Sequence, residues 1–268
     1  MKAAMDIRTI ENYAPRLEHE GSTKVWWLVD AREMFEETAG AHLESIGELE
    51  LPPGSLFSVP DGNRWAFAYV TAGKGRAVVG GDEREVGPGD MVLARPAEHH
   101  ELRPASENAS LHLLTFAVAK GRTPAPAASY QARAKMDIRS IDMVRPLRID
   151  SGATLWWLAR PGEFRAATEG GHLELVDEFE VAAGGEVHLH SHQTWEFYYG
   201  LFGRALMTIS GEERTMGPGD LVVIPSDAVH SIKPIGPNTG IRCFCFAVGI
   251  KGAQLYNYGQ DVPAELRR

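Results

Sequence analysis

A tandem duplication constrains this chain more than any other feature. Met5-Asp6-Ile7-Arg8-Thr9-Ile10 returns as Met136-Asp137-Ile138-Arg139-Ser140-Ile141. Trp26-Trp27-Leu28 returns as Trp156-Trp157-Leu158, His42-Leu43-Glu44 as His172-Leu173-Glu174, and Gly87-Pro88-Gly89-Asp90 as Gly217-Pro218-Gly219-Asp220. Trp65, Phe67 and Tyr69 return as Trp195, Phe197 and Tyr199, and Phe116-Ala117-Val118 as Phe246-Ala247-Val248. The offset stays near 130 residues throughout, so whatever one half folds into, the other half folds into as well. The halves divide as residues 1–119 and 136–250. An Ala- and Pro-containing linker, 120–135, joins them, and a tail, 251–268, follows.

Each half reads as all-β. Leu173, Leu175, Phe179 and Val181 alternate with Glu174, Glu178 and Glu180, the pattern of a half-buried strand. Turn signals recur at short intervals, among them Pro52-Pro53-Gly54, Ala183-Gly184-Gly185 and Gly217-Pro218-Gly219. Short strands with this turn density point to a sandwich or barrel. One short helix is expected after each Trp-Trp strand, for example Ala31 to Thr38. The paired tryptophans are expected to pack the core and the barrel interface. Cys243 and Cys245, opposite Leu113 and Thr115 of the first copy, read as small side chains on a core strand.

The net charge of −9 and the lack of a basic stripe argue against nucleic acid as a partner. The first ten residues do not read as a secretory signal, and no apolar run is long enough for a membrane helix. The expectation is a cytoplasmic protein with no membrane partner.

The chemistry concentrates in the second copy. His188, His190 and His192 are spaced by two, so on one strand they face one side. Glu196 keeps that parity after a short turn, where a hairpin would bring it back beside the histidines. His230 follows another strand, Leu221 to Ile224, and arrives from across the lumen if that strand lines the same barrel. Three imidazoles and one carboxylate suit a divalent transition metal: Fe, Mn, Ni, Co or Zn.

The spacing Gly184-x5-His190-x-His192-x3-Glu196-x6-Gly203 resembles the first motif of the cupin family. Gly219-x5-Pro225-x-Asp227-x2-His230 resembles the second, with Asp227 where glycine is usual and Pro234 where the closing asparagine would stand. The resemblance covers both copies. It implies a bicupin of two jelly-roll β-barrels with minor short helices, one metal per chain on His190, His192, Glu196 and His230, and a homo-oligomer. His188 and Tyr198, both of lumen parity, are the candidate catalytic residues. For His188 the readings of a proton carrier, an alternative ligand and an ordinary hydrogen-bonded histidine all stay open.

The first copy places Pro60, Gly62 and Ala66 opposite His190, His192 and Glu196, and keeps only His100 opposite His230. No metal is expected there. His100 is left to fill space or to bind a small anion with Arg64, and the barrel to a structural role. His42 and His172 are expected to share a fold role. The function expected of the chain is a metal-dependent enzyme acting on a small oxygen-rich molecule (keto acid, diketone, catechol or sugar-like), as a dioxygenase or as an isomerase or lyase. The alternative is a binding or sensor protein whose metal only anchors a ligand. Fold alone does not choose between them.

Overall fold

The structure is a computed structural model that describes residues 5–30, 33–34, 43–59, 64–79, 81–96, 98–119, 136–149, 151–164, 173–236 and 238–249. The linker 120–135, the tail 251–268, His42, His172, Pro60 and Gly62 lie outside them. So does most of the expected helix Ala31 to Thr38. Among the described residues there are strands and two single 3-10 turns, Ile10–Asn12 and Ile141–Met143, but no α-helix. No helix is long and apolar enough to cross a membrane.

The chain forms two compact units. In the unit carrying the second repeat, one sheet runs Asp6–Thr9, Asp220–Ile224, Thr194–Phe202, Ile241–Gly249, Leu173–Val181, Ala153–Ala159, Leu147–Ile149. The other runs Val187–His190, His230–Pro234, Ala205–Ile209, Glu212–Met216. All neighbouring strands are antiparallel. The core lies between the sheets and includes Leu175, Phe179, Met207, Val222, Ile224, Ile232, Cys243 and Cys245, all buried. Both cysteines are free thiols on this core strand. The unit of the first repeat repeats the plan, with seven- and four-stranded sheets around Val25, Leu49, Val70, Val92, Leu102 and Leu113.

The repeated hexapeptide accounts for an exchange between the halves. The two sequence repeats trade one strand each, so that both strands of each pair lie within one compact unit. Asp6–Thr9 pairs with Asp220–Ile224 of the second repeat, and Asp137–Ser140 pairs with Asp90–Ala94 of the first. Each hexapeptide buries its methionine, Met5 or Met136, in the core of the unit it joins. Each then lays an isoleucine over the glycine turn. A Cβ at Gly219 would lie 2.9 Å from Ile10, and one at Gly89 2.5 Å from Ile141. Both glycines also have φ above +80°. The turn therefore needs glycine twice over: for its backbone and for the isoleucine above it.

One expectation about the strands needs correction. Leu173–Val181 is not half-buried. Glu174 and Glu178 on its polar face are as buried as the leucines. Glu178 is satisfied by Arg242 Nε, whose guanidinium also sits 5.0 Å from the Trp156 ring centroid. The expected core role of the tryptophan pairs is also incomplete. Trp157 packs on the edge of the core, and its ring lines a cavity as well.

Candidate metal centre

Two sheets build the site, and they divide the ligands differently from the sequence expectation. Val187–His190 pairs with His230–Pro234 and puts His190 directly opposite His230, with ring centroids 4.2 Å apart. So His230 is the neighbour of His190 on one sheet. Glu196 is the residue that comes from across the lumen. Its strand, Thr194–Phe202, pairs with Asp220–Ile224 and Ile241–Gly249 in the other sheet and makes no hairpin with Val187–His190. The turn at 191–193 is a crossover between sheets, and His192 sits in it. Asp227 N donates to the His192 carbonyl at 2.8 Å, which ties this turn to the loop leading into His230. Asp227 adopts φ 61°, the left-handed conformation that explains the family's glycine there. Asp is among the residues that tolerate it.

The site's first glycine-rich strand end is equally constrained. Gly203 closes the strand bearing Glu196 with φ 79°, and a Cβ there would lie 1.9 Å from the Gly240 carbonyl oxygen. No other residue fits.

One ligand atom from each of His190, His192, Glu196 and His230 lies within 4.8 Å of the other three. Glu196 Oε2 is 2.9 Å from His192 Nε2 and 3.3 Å from His230 Nε2. The opposite ring nitrogens are anchored outward. His190 Nδ1 faces the His188 carbonyl at 2.8 Å, and His230 Nδ1 faces the Ala228 carbonyl at 2.9 Å. A carbonyl can only accept, so Nδ1 carries the proton in both rings and Nε2 offers its lone pair inward. His192 Nδ1 meets Thr194 Oγ1 at 2.7 Å. Outer partners of this kind orient imidazoles at metal centres. Three inward nitrogens and one carboxylate oxygen, buried together, form a donor set that fits a divalent transition metal.

Electrostatics follow the same geometry. Burial, then the charge of His230, pushes the His190 imidazole down to about 4, so it stays neutral. Burial alone would push Glu196 up. The charge and hydrogen bond of His192, with His230, outweigh it and hold the carboxyl well below the usual carboxylate range. For His192 burial favours the neutral ring, but Glu196 beside it overcomes this and raises the imidazole.

A cavity of ≈ 240 Å³ opens beside the cluster. The histidines 188, 190 and 192 line it together with Glu196, Tyr198, Asp177, Ser151, Trp157 and several aliphatic side chains. Tyr198 is buried, and its hydroxyl donates to Glu196 Oε2 at 3.0 Å. His188 is exposed, lies outside the four-residue cluster and pairs through Nδ1 with Glu186 Oε1 at 2.5 Å. The pairing of its strand is irregular between Val187 and His190, yet His188 lines the same cavity as His190 and His192. Sequence reasoning passed over Asp177 and Thr194.

In the first unit His100 has a different fate. Its Nδ1 faces the Glu98 carbonyl at 3.0 Å and its Nε2 faces the Leu93 carbonyl at 2.7 Å. Neither ring nitrogen points into open space, so this histidine is a buried strut between backbone segments. Arg64, proposed as its companion for an anion, instead pairs with Glu44 at 3.2 Å.

Known proteins match both the fold and the repeat. The model of the cupin domain matches residues 47–116 and again 177–245, together about half the chain. An uncharacterized protein of Methanocaldococcus jannaschii is 31% identical over 105 residues, covering 39% of this chain and 79% of that protein. Among solved structures, Lactobacillus farciminis oxalate decarboxylase in its formate complex aligns with a TM-score of 0.67 at 15% identity, over 92% of this chain and 86% of that one. Escherichia coli protein Ylba aligns with a TM-score of 0.69 at 10% identity, over 94% and 93%. A putative glyoxylate induced protein of Pseudomonas aeruginosa gives 0.67 at 15%, over 88% and 84%. At these identities the structures share the fold alone. With one cupin domain matched in each repeat, the chain belongs to the cupin family and is a bicupin.

Proposed function

We propose that the second-repeat barrel is a metal-dependent enzyme site, in which His190, His192, Glu196 and His230 hold one divalent transition metal and a small oxygen-rich molecule binds beside it. The observation that carries this reading is the convergence of four donor atoms within 4.8 Å of one another, three of the four residues (His190, His192 and Glu196) lining a cavity. At ≈ 240 Å³, the cavity has the room of roughly eight water molecules, the scale of a small acid or ketone. Similarity to an oxalate decarboxylase, whose substrate is a small dicarboxylate, supports the same substrate class.

A bound metal supplies Lewis acidity toward a chelated oxygen pair and, if it is Fe or Mn, redox chemistry with dioxygen. The chain's own groups do the rest. Glu196 is the only formal negative charge in the donor set, so the loaded site keeps positive charge for an anionic guest. Tyr198, on the cavity wall, donates its hydroxyl proton to Glu196, and the phenol oxygen is the candidate proton carrier beside the guest. His188, at the exposed mouth and paired with Glu186, is placed to pass protons between cavity and solvent. Leu155, Phe179 and Val187 exclude water from the remaining wall. The reaction is an oxidative cleavage, or an isomerisation or elimination through proton transfer.

The test is elemental analysis of purified protein, followed by oxygen-uptake and spectral screens with keto acids, diketones and catechols. One metal per chain with turnover of a member of these classes is the expected result. Metal with tight ligand binding and no turnover would make the protein a sensor, and no metal would overturn the reading.

A further inference from the structure

Asp177 stands where an alternating strand should carry an apolar residue. It shares parity with Leu173, Leu175, Phe179 and Val181, and the residue is only 3% exposed. It lines the same cavity as Glu196 and Tyr198. Its Oδ1 has no hydrogen-bond partner among the described residues, and neither has Ser151 Oγ on the same cavity wall. Burial, then repulsion from Glu196, raises its carboxyl well above the ordinary range, which agrees with a group that nothing in the protein compensates. A buried carboxyl oxygen without a partner is costly, so one that lines a cavity calls for a partner from outside the fold.

The other repeat supplies an internal control. The residue opposite Asp177 is Gly47, and the register is the same: Trp157 faces Asp177 as Trp27 faces Gly47. A Cβ at Gly47 would lie 2.9 Å from Trp27 Cε3, so the indole occupies the side-chain space there. Where the four-residue cluster is complete, a carboxyl stands at this position, while Trp157 lines the cavity of its repeat as Trp27 lines one of similar size in the other. Asp177 thus accompanies the ligands in one repeat and is missing with them in the other.

Resting on the metal reading above, we propose that Asp177 is a specificity-determining residue that receives a hydroxyl of the guest, while the guest's chelating oxygens sit at the four-residue cluster. The guest is therefore a small hydroxylated acid or ketone, with its carbon backbone against Trp157 and Phe179. A hydroxyl both donates and accepts, and so satisfies the carboxyl oxygen whichever way its proton lies.

The experiment uses full-length protein loaded with Mn(II) and probe pairs that differ by one hydroxyl: glycerate against lactate, and 2,4-dihydroxybutyrate against 2-hydroxybutyrate. Calorimetric titration of the wild type is expected to favour the hydroxylated member of at least one pair by about tenfold or more. Asp177→Ala is expected to erase that preference, with unchanged Mn content and a thermal midpoint equal to or above wild type, because an unpaired buried group has been removed. Asp177→Asn, which keeps the hydrogen-bonding shape, is expected to retain part of it. A wild type that binds Mn(II) but shows no preference in either pair, or no binding of any probe, overturns this inference alone. So does an Asp177→Ala protein that loses Mn or melts several degrees lower, since Asp177 would then be structural. If Mn(II) is not taken up, the titrations are run with whichever of Fe(II), Co(II), Ni(II) or Zn(II) is, and a wild type that takes up none of the five overturns the metal reading and this inference with it.

Discussion

Tyr198 and Glu196 lie two residues apart on one strand and on one face, and the phenol donates to the very carboxylate oxygen, Oε2, that His192 and His230 approach. The tyrosine is thus attached to the cluster without belonging to it. Removing its hydroxyl separates two roles. Tyr198→Phe is expected to keep its metal, since all four donors remain. If the phenol carries a proton in the reaction, turnover drops by roughly 10²–10⁴. Metal analysis beside steady-state kinetics distinguishes this from a positioning role, in which metal falls too.

His190→Ala and Glu196→Ala are expected to bring metal content well below one per chain while circular dichroism stays that of a folded β protein. His100→Ala should leave the metal in place. It strips the buried Leu93 carbonyl and the partly buried Glu98 carbonyl of their partner, so it should cost roughly 1–3 kcal/mol of stability by denaturant titration. Metal loss in the His100 variant would refute the assignment of the cluster.

Thr194 holds His192 at Nδ1 from outside the cluster. Thr194→Val keeps the shape and removes the hydroxyl. Metal affinity, measured by competition with a chromogenic chelator, is expected to fall about 10- to 100-fold. Unchanged affinity would mean that packing alone orients the ring.

Glu178 and Arg242 give a pH-dependent prediction. Burial raises the Glu178 carboxyl, and Arg242 opposes the rise. A carboxyl raised on folding contributes stability at low pH and loses it as pH climbs through its folded value. Arg242→Met leaves the acid buried with less compensation. Because the shift is upward, the loss should be smaller at pH 5 than at pH 8, where it should reach roughly 3 kcal/mol, the low end for a broken buried pair because Arg242 is partly exposed. Urea midpoints at the two pH values test it. A loss that is flat or larger in acid would contradict the assignment.

Residues 1–11 belong to the same compact unit as the metal cluster. Deleting them uncovers the edge of Asp220–Ile224 and empties the place of Met5 in the core. The expected result is a clearly lower melting temperature for the unit that holds the metal, read as earlier metal release on heating. Release at the wild-type temperature would show that the strand contributes little.

Much of this was legible because the duplication and the ligand spacing are written in local sequence. The intervals single out four candidate ligands, and one donor atom of each lies within 4.8 Å of the others. How they converge was not legible. Interval arithmetic cannot say whether the turn after His190 closes a hairpin or crosses to another sheet, since that depends on which partner strand offers the better register. Hence Glu196 and His230 exchanged their expected positions. Asp177 was visible all along as an acid inside an apolar series, opposite a glycine in the twin. Its meaning needed the cavity and the indole beside it. His100 shows the converse: a retained ligand residue whose nitrogens the backbone had taken over.

The first strand has a long wait during synthesis. Asp6 leaves the ribosome more than two hundred residues before its partner Val223. The hexapeptide Met5–Ile10 must stay unpaired, or be held elsewhere, until synthesis has passed Val223. Meanwhile its sibling at Asp137 can dock at once onto Leu93. The order of maturation is thereby set: the barrel without the ligand set can finish first, and the one bearing the four ligands closes last, when the chain's beginning and its far half meet.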